Sequence, residues 1–346
     1  MSTIARPTPD AADVPLGTHA RLGSYTIDTR DLAPDLFHDV GATDWSRLRW
    51  GDVKRPYTVE KWAEDKVRWE RANGQPMPVL EGWKHFNRNF HELFATEVPE
   101  AQSRARDELR SALCAFDLRG AKEAMEELLQ LAVWNKIHRV EDAVWDPRGK
   151  RALFRDLGVA RPKILFLGAA EGYEAMQLMA MYPGGHATLV DYDDFCRDVR
   201  FAEFPDAYPF LGPDPATGHL RTWHKSQMDI DYVVDDIRNL TYGAEFDIVV
   251  SVGLIEHFPD EYKPLCFEFH RKFVKPGGWV IMTTPRDQLR SRAYYSIMSD
   301  RINFGYRELM NVWQMALYTT ENGFDIHRAG VIKAHNRLIT KVRAAA

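Results

Sequence analysis

The chain has 346 residues, of which 45% are hydrophobic and 27% are charged, and its formal net charge is −5. That length is enough for a full hydrophobic core in one large domain, with room for a smaller one. No apolar run reaches the roughly 18 residues of a membrane span, and no long basic block is present to hold nucleic acid by charge alone. We therefore expect neither a membrane nor a nucleic-acid partner.

Residues 1–20 lack the apolar core of a signal peptide, so a short disordered tail is expected there. The three cysteines, Cys114, Cys196 and Cys266, lie far apart and form no C-x-x-C pair. This spacing argues against a disulfide framework and against a cysteine-ligated zinc site. A cytoplasmic location is the resulting expectation.

A helical N-terminal domain is predicted for residues 21–150, because helical periodicity dominates there and alternating strand patterns are scarce. Seven of the ten tryptophans fall in the first 145 residues. These helices are expected to cap an acceptor site, to form contacts in a homodimer, or to bury the tryptophans in a core. The predicted helices span residues 58–72, 80–94, 100–116 and 121–140, and the predicted linker is "WDPRGKR", residues 145–151.

No metal site is predicted in this region. His85 and His91 lie six residues apart, so they do not share a helix face, and no third ligand accompanies them.

A second domain is predicted for residues 151–346, where short apolar runs alternate with helix-length segments. Runs that are apolar on both faces are typical of strands buried in a parallel sheet. With right-handed crossovers they predict an open, doubly wound α/β sheet, whose ligands bind beyond the carboxyl ends of the strands. The runs are "KILFLG", "ATLVDY", "DYVVDD", "FDIVVSV" and "GGWVIMTT".

The turn from Gly168 to Gly172, "GAAEG", follows the first strand and precedes a helix. Such a turn lets the backbone approach a ligand, and free N–H groups at the helix start favour a nucleotide-like molecule. Asp191 ends the next strand, 23 residues after Gly168, where a carboxylate accepts hydrogen bonds from ribose hydroxyls. Asp235 and Asp236 end the third strand, where a carboxylate can meet an adenine amino group. The alternatives are tight packing for the turn and helix caps for the acids.

Residues 162 to 285 resemble the class I S-adenosylmethionine-dependent methyltransferases. Five ordered motifs carry the resemblance: "ILFLGAAEGYEA", "TLVDYDD", "VVDDIRNL", "FDIVVSVGLIEHFPD" and "FVKPGGWVIMTTP". The resemblance implies a Rossmann-like, mostly parallel sheet of seven strands, with S-adenosyl-L-methionine as the cofactor and the last strands in "DIHRAGVIKAH" and "RLITKVRA". It assigns cofactor binding to residues of the first four motifs, namely Gly168, Ala169, Ala170, Gly172, Asp191, Tyr192, Asp235, Asp236, Ile237, Ser251 and Val252.

Two positions of the glycine-rich motif depart from the common pattern of this family. Phe166 stands where a carboxylate is usual, and Ala170 stands where a second glycine is usual. Glu171 or the backbone is therefore expected to orient the cofactor. A nicotinamide-binding fold is the competing interpretation, but G-x-G-x-x-G is absent, and the "PGG" turn belongs to the methyltransferase pattern.

The reaction implied by the resemblance is an in-line attack on the methyl group of a sulfonium, in which alignment of the reactants is the main task. His257, just after the fourth strand in "IEH", is the candidate catalytic base. The alternative is that Glu256 and His257 shape the cofactor pocket.

Acceptor binding is predicted for Glu256, for His257 and for the segment after the fifth strand, "PRDQLRSRAYYS". In that segment Arg286 and Arg290 share a helix face and suit a carboxylate or phosphate, while Tyr294 and Tyr295 shape the pocket. An exposed basic helix is the alternative. A long segment, residues 204–227, is a second candidate cover for the site.

We expect an enzyme that methylates nitrogen, sulfur or oxygen of a small-molecule acceptor, such as a carboxylate-bearing, amino-acid-like or specialised metabolite. An RNA or protein methyltransferase is the first alternative, although neither a basic face nor an extended groove is visible in the sequence. A module that binds the cofactor without turnover is the second, because the glycine-rich motif is altered.

Overall fold

The computed structural model describes residues 19–22, 25–28, 38–41, 43–95, 98–134, 147–206 and 208–344. Residues 1–18 of the predicted tail lie outside this part of the chain. The strands are β1 His19–Leu22, β2 Tyr25–Asp28, β3 His38–Asp39, β4 Tyr57–Thr58, β5 Lys163–Leu167, β6 His186–Asp191, β7 Phe210–Pro213, β8 Leu220–Trp223, β9 Ile230–Val234, β10 Phe246–Val252, β11 Val274–Pro285, β12 Glu308–Leu309, β13 Phe324–Ile332 and β14 His335–Val342. The helices are α1 Glu64–Asn73, α2 Val79–Ala95, α3 Val98–Cys114, α4 Leu118–Trp134, α5 Pro147–Phe154, α6 Tyr173–Met181, α7 Lys263–Phe273, α8 Leu289–Ile302 and α9 Val312–Glu321.

The central sheet has eight strands in the order β3-β13-β14-β11-β10-β5-β6-β9. The five strands from β11 to β9 run parallel, β14 is antiparallel to β11, and β13 is antiparallel to β14. The predicted Rossmann-like sheet of seven mostly parallel strands is therefore confirmed, and the two-residue strand β3 adds an eighth at the edge. The strand order reverses between β5 and β10, which is the point where ligands bind in such sheets.

Apolar side chains on both faces explain why the predicted runs form interior strands. Residues 164–167 of β5 and 248–251 of β10 are all buried. Burial of each Val, Leu or Ile side chain contributes about 1.5–3 kcal/mol, so these runs are most stable between two layers of helices.

Three of the N-terminal helices, α1, α2 and α4, contact α8. β4 pairs with β12. Val59, Phe86 and Phe90 join the core that contains Tyr294 and Tyr295. α2 and α3 agree with the predicted helices to within two residues, and α4 is described as far as residue 134, so its predicted continuation to 140 lies outside the described residues.

α1 begins at Glu64 and not at residue 58 as predicted. Residues 57 and 58 instead pair with β12, and the Val59 N–H donates to the Arg307 carbonyl at 2.9 Å. Strand pairing to a distant segment thus overrides the local helical pattern.

The predicted linker also differs from the structure. Residues 147–151 form the first part of α5, while residues 145 and 146 lie outside the described part of the chain. Proline suits the first turn of a helix, and Lys150 is buried against Glu174 of α6. A basic residue of the predicted linker therefore forms a buried ion pair.

The second candidate cover, residues 204–227, forms a hairpin of β7 and β8 that is fixed to α6, apart from residue 207, which is not described. Gln177 of α6 donates to the Leu211 carbonyl at 3.1 Å. Tyr208 and Phe210 are fully buried. The β7 half of this segment is therefore part of the core, whereas residues 215–220 are exposed.

Candidate active site

The glycine-rich turn lies at the point where the strand order reverses. Gly168, Ala170 and Gly172 all adopt positive φ angles, of 67°, 48° and 78°. Glycine adopts this conformation without strain, whereas an alanine does so at a cost. The Ala169 N–H donates to the Val190 carbonyl at 3.0 Å, which ties the turn to β6.

Asp191 faces this turn from the end of β6. Its Oδ2 accepts from the Ala170 N–H and its Oδ1 from the Asp193 N–H, each at 3.2 Å. Burial raises the pKa of Asp191 to about 6, although both N–H groups favour the ionised form. Each carboxylate oxygen has more than one lone pair, so Asp191 keeps acceptor capacity for ribose hydroxyls.

A cavity of about 660 Å³ lies at the carboxyl ends of β6 and β9. The sheet side of the cavity consists of Tyr192, Val234, Asp235 and Asp236. Residues of α1, of α2 and of the chain between them form the opposite wall: Trp69, Pro78, Leu80, Glu81 and Lys84. The Tyr192 hydroxyl donates to the Leu80 carbonyl at 3.2 Å and joins the two walls. The volume is typical of small-molecule pockets, which span about 300–1,000 Å³.

The two acids at the end of β9 have different partners. Asp236 caps the short 3-10 helix Ile237–Asn239 and pairs with Arg238, whose hydrogen bonds lower the pKa of Asp236. Asp235 accepts at Oδ1 from the Asp236 N–H at 2.7 Å and from Asn239 Nδ2 at 3.0 Å. No described residue bonds to Oδ2 of Asp235, so this oxygen is the better placed acceptor for an adenine amino group.

A buried polar network that no motif indicated links the turn to α2. Arg200 lies in the π-helix Cys196–Phe201 and pairs with Glu171 of the turn. Asn87 of α2 accepts from Arg200 at 3.1 Å and donates to Asp193 at 3.0 Å. Glu171 is therefore held by Arg200. Partners as far as 113 residues apart leave no local signal in the sequence.

His257 lies at the end of the 3-10 helix Ile255–His257, directly after β10. Its Nδ1 is 2.8 Å from the Tyr306 carbonyl, which can only accept, so Nδ1 carries the proton. Burial lowers the pKa of His257 well below its ordinary value, so the ring is neutral at pH 7. Nε2 lies 3.6 Å from Glu256 Oε1, and the ring of Trp83 packs edge-on with its centroid 4.2 Å away.

Ser251 and Val252 end β10, where cofactor contacts were predicted. The Ser251 hydroxyl is 2.8 Å from His270 Nε2, while His270 Nδ1 is 2.8 Å from the Cys266 carbonyl. Nε2 of His270 therefore accepts, and Ser251 donates its proton within the core. This leaves the backbone of Ser251 and the half-buried Val252 for the predicted contacts.

The acceptor residues predicted after the fifth strand separate into two groups. Arg286 lies before α8 in a β-bridge with Met310, so the prediction that it shares a helix face with Arg290 is wrong. Tyr294 and Tyr295 are buried with ring centroids 5.1 Å apart, and the Tyr295 hydroxyl accepts from Arg307 Nη1 at 2.7 Å. Arg286 and Arg290 are only half-buried. The structure thus brings the tyrosines together with Arg307, a residue that no motif indicated.

The residues at this edge fit S-adenosylmethionine. The cavity has room for an adenosine group, Asp191 and Asp235 offer acceptors where ribose and adenine are expected, and the turn presents backbone close to both. Phe166, at the position of the usual acid, is buried in the core. The turn is instead contacted by the Asp191 carboxylate, which accepts from the Ala170 N–H, and by Arg200, which pairs with Glu171.

None of the described helices combines the length and apolar character needed to cross a bilayer. No group of three or more potential metal ligands occurs in the part of the chain that the structure describes.

Comparison with known families gives one match. Residues 201–282 match the model of a family described as a methyltransferase domain. The match covers less than half of the chain and begins after the glycine-rich turn, so it depends on the third, fourth and fifth motifs. A search of curated proteins found no match.

Similar solved structures are distant from this chain. A possible exported protein from Bordetella parapertussis is 15% identical with a TM-score of 0.45, covering 72% of this chain and 98% of that one. The 1,6-didemethyltoxoflavin-N1-methyltransferase of Burkholderia thailandensis is 12% identical with a TM-score of 0.42, and the alignment covers 64% of this chain and 90% of that one. For human N-acetylserotonin methyltransferase the identity is 16%, the TM-score 0.41 and the coverage 76% and 67%. The match of residues 201–282 to a methyltransferase domain agrees with the ordered motifs of the sequence and with the strand order of the sheet.

Proposed function

We propose that the chain is an enzyme that transfers the methyl group of S-adenosylmethionine to a small molecule. The acceptor atom is nitrogen, sulfur or oxygen, and the small molecule binds beneath α2. The main support is that one helix covers both halves of the carboxyl edge. Leu80, Glu81 and Lys84 of α2 line the cavity, and Trp83 packs on His257. An acceptor beside His257 would be enclosed by side chains, as small molecules are, whereas a folded protein or RNA needs an open groove.

The cofactor supplies an electrophilic methyl group on a sulfonium when it is bound. In our proposal Asp191 accepts hydrogen bonds from the ribose, Asp235 accepts from the adenine, and Tyr192 covers the base. The residues of α2 exclude water from the edge. Alignment of two reactants in a dry site can supply roughly 7–11 kcal/mol of the barrier reduction, so these positioning roles account for most of the catalysis.

His257 is our candidate for the proton acceptor when the nucleophile must lose a proton. Its proton is on Nδ1, held by the Tyr306 carbonyl, so the lone pair is on Nε2. A neutral imidazole is the form that a base requires. Because Nε2 also lies near Glu256, the same geometry supports a purely positioning role for acceptors that need no base.

Residues 21–150, predicted as a separate domain, are in this proposal the cap of the active site. The ion pair and hydrogen bonds that link α2 to Arg200 and Asp193 support this role. The homodimer remains a prediction.

Calorimetric titration with S-adenosylhomocysteine tests the cofactor site, and transfer of radiolabelled methyl groups to pools of small amines, thiols and phenols tests the acceptor class. We expect binding that Asp235→Ala weakens, followed by label in a small product. Label found only in RNA or protein from an extract would contradict the small-molecule assignment. Absence of cofactor binding would favour a domain that has lost turnover.

A further inference from the structure

Arg307 is a deeply buried cation next to the candidate acceptor site. It directly precedes β12 and is only 5% exposed. Its guanidinium lies between the ring of Phe86 on α2, at 5.4 Å, and the ring of Tyr295 on α8, at 5.0 Å. Nη1 donates to the Tyr295 hydroxyl at 2.7 Å.

This charge has no counter-ion among the described residues. No described carboxylate lies within ion-pair distance of Arg307, and its Nε lacks a hydrogen-bond partner in the same part of the chain. A buried guanidinium without an anion is costly, because aromatic rings and one hydroxyl replace only part of its hydration. A buried guanidinium of this kind is stabilised when an anionic group of a ligand binds to it.

The neighbouring acids do not meet this need. Glu308 pairs with Lys263 at 2.8 Å and accepts from the Tyr306 hydroxyl. Glu256 is 1% exposed, and burial raises its pKa to about 8, a rise that the nearby charge of Arg307 only partly offsets. Glu256 is therefore neutral at pH 7, and its Oε2 has no partner among the described residues.

We infer that Arg307 binds a carboxylate group of the acceptor, beside Glu256 and beneath Phe86 of α2. The inference rests on the proposed function, since it places the acceptor at the same edge as His257. The sequence predicted that Arg286 and Arg290 would bind such a group. The inference assigns this role to Arg307 instead, because Arg286 and Arg290 are only half-buried. A carboxylate can take hydrogen bonds from the guanidinium, while the rings of Phe86 and Tyr295 pack against the apolar part of the same molecule.

Simple aromatic acids and their amides test the inference. Wild-type protein saturated with S-adenosylhomocysteine is titrated with benzoate and phenylacetate, and separately with benzamide and phenylacetamide. We expect the acids to bind at least about tenfold more tightly than the amides, the size expected for a hydrogen-bonded charge pair. Arg307→Gln should abolish this preference. Arg343→Gln, which changes a half-exposed arginine paired with Asp325, should retain it.

Three results would overturn the inference. The first is equal binding of acids and amides by the wild type. The second is a preference for acids over amides that is undiminished in Arg307→Gln. The third is that this variant binds S-adenosylhomocysteine more weakly but binds methylthioadenosine as well as the wild type does. The last result would assign Arg307 to the carboxylate of the cofactor. If the glutamine variant does not fold, Arg307→Met replaces it, and an undiminished preference for the acids in that variant contradicts the inference. Failure of the wild type to bind S-adenosylhomocysteine would instead refute the proposed function.

Discussion

Three buried acids at the carboxyl edge are satisfied in different ways. Glu171 pairs with the guanidinium of Arg200, Asp191 accepts from two backbone N–H groups, and Glu256 has one oxygen without a described partner. An ion pair favours the ionised acid, whereas burial favours the neutral one. The protonation states of Asp191 and Glu256 are therefore expected to change within the accessible pH range.

Asp191 should make cofactor binding depend on pH. Its pKa of about 6 means that the ionised form, which accepts from ribose hydroxyls, is populated only above that pH. We expect S-adenosylhomocysteine to bind more tightly as pH rises from 5 to 7. Asp191→Asn should bind at least about tenfold more weakly at pH 7.5 and lose this dependence, since a hydrogen bond to a charged group contributes about 1.5–3 kcal/mol. Calorimetry would measure both, and equal affinity in the variant would remove the ribose assignment.

Glu256 should make folding stability depend on pH. Its pKa rises from 4.5 to about 8 on folding, so the folded state holds a proton that the unfolded state releases. Its contribution to the free energy of unfolding is full below about pH 4.5 and is lost as pH rises toward 8. Glu256→Gln keeps the shape without the titration, so its denaturation curves should change less between pH 5 and 8. Parallel pH profiles for variant and wild type would argue against a neutral Glu256.

The positions of single residues were predictable from the sequence where the residue directly ends a buried strand. Asp191 and Asp235 end strands, and that position alone indicated them. Arg200 and Arg307 were missed because their partners lie 29 and 12 residues away on other elements. Such contacts depend on how elements pack, which no local spacing records.

At the level of secondary-structure elements, Gly172 in the glycine-rich turn is constrained both by its backbone conformation and by a close neighbouring side chain. Gly172 has a φ of 78°, and a Cβ there would lie 2.5 Å from Leu189 Cδ1. Gly218, between β7 and β8, has a φ of 73° but nothing within 4 Å of a Cβ. Substitutions at Gly172 and at Gly218 therefore distinguish the effect of backbone strain from the effect of steric collision.

Gly172→Ala should destabilise the protein by more than Gly218→Ala. The control pays only the cost of the left-handed conformation, about 1 kcal/mol, while Gly172→Ala adds an overpacking cost of about 1–3 kcal/mol. Chemical denaturation would measure the difference. Similar losses in the two variants would show that Leu189 moves aside and that the turn is less tightly packed.

The π-helix Cys196–Phe201 offers a second matched pair. Arg200→Gln leaves Glu171 buried without its cation and should cost about 3–5 kcal/mol. Arg197→Gln removes the pair with Asp198, in which both side chains are about half exposed, and should have a much smaller effect because solvent screens this pair. Denaturation curves would compare them, and equal effects would mean that Arg200 does not support the turn.

The sequence predicted the bounds of the buried strands more accurately than the structure of the segments that connect secondary-structure elements. Buried runs such as residues 163–168 and 246–252 have a composition that only interior strands satisfy, and they agree with β5 and β10 to within one residue. The predicted linker failed because Lys150, polar in sequence, is buried by α6. The predicted cover at 204–227 failed because its aromatic residues pack beneath it.

Across the whole molecule, α2 connects regions that the sequence treats separately. It contributes to the wall of the cavity, contacts His257 through Trp83, and joins the network of Arg200 through Asn87. Helical periodicity indicated the helix but not what its apolar face covers. The doubly wound sheet could be predicted because its strands are consecutive, whereas the position of α2 depends on contacts more than 100 residues apart.

Hydrogen exchange should detect the cap. S-adenosylhomocysteine is expected to slow amide exchange in α2 and in residues 168–172, because both contact the cofactor site. The connection between α3 and α4, where Phe116 is 89% exposed, lines no part of the cavity and should be unaffected. Mass spectrometry of the bound and free enzyme would measure both, and unchanged protection of α2 would argue against its role as a cap.

The proposed position of α2 over both the cofactor and the acceptor has a kinetic consequence. If the same helix must move to free either product, S-adenosylhomocysteine and the methylated molecule leave through one opening event and not through two independent exits. Their dissociation rate constants should then be equal and should change together on weakening the Trp83 contact with His257. Turnover would be set by how often this helix lifts.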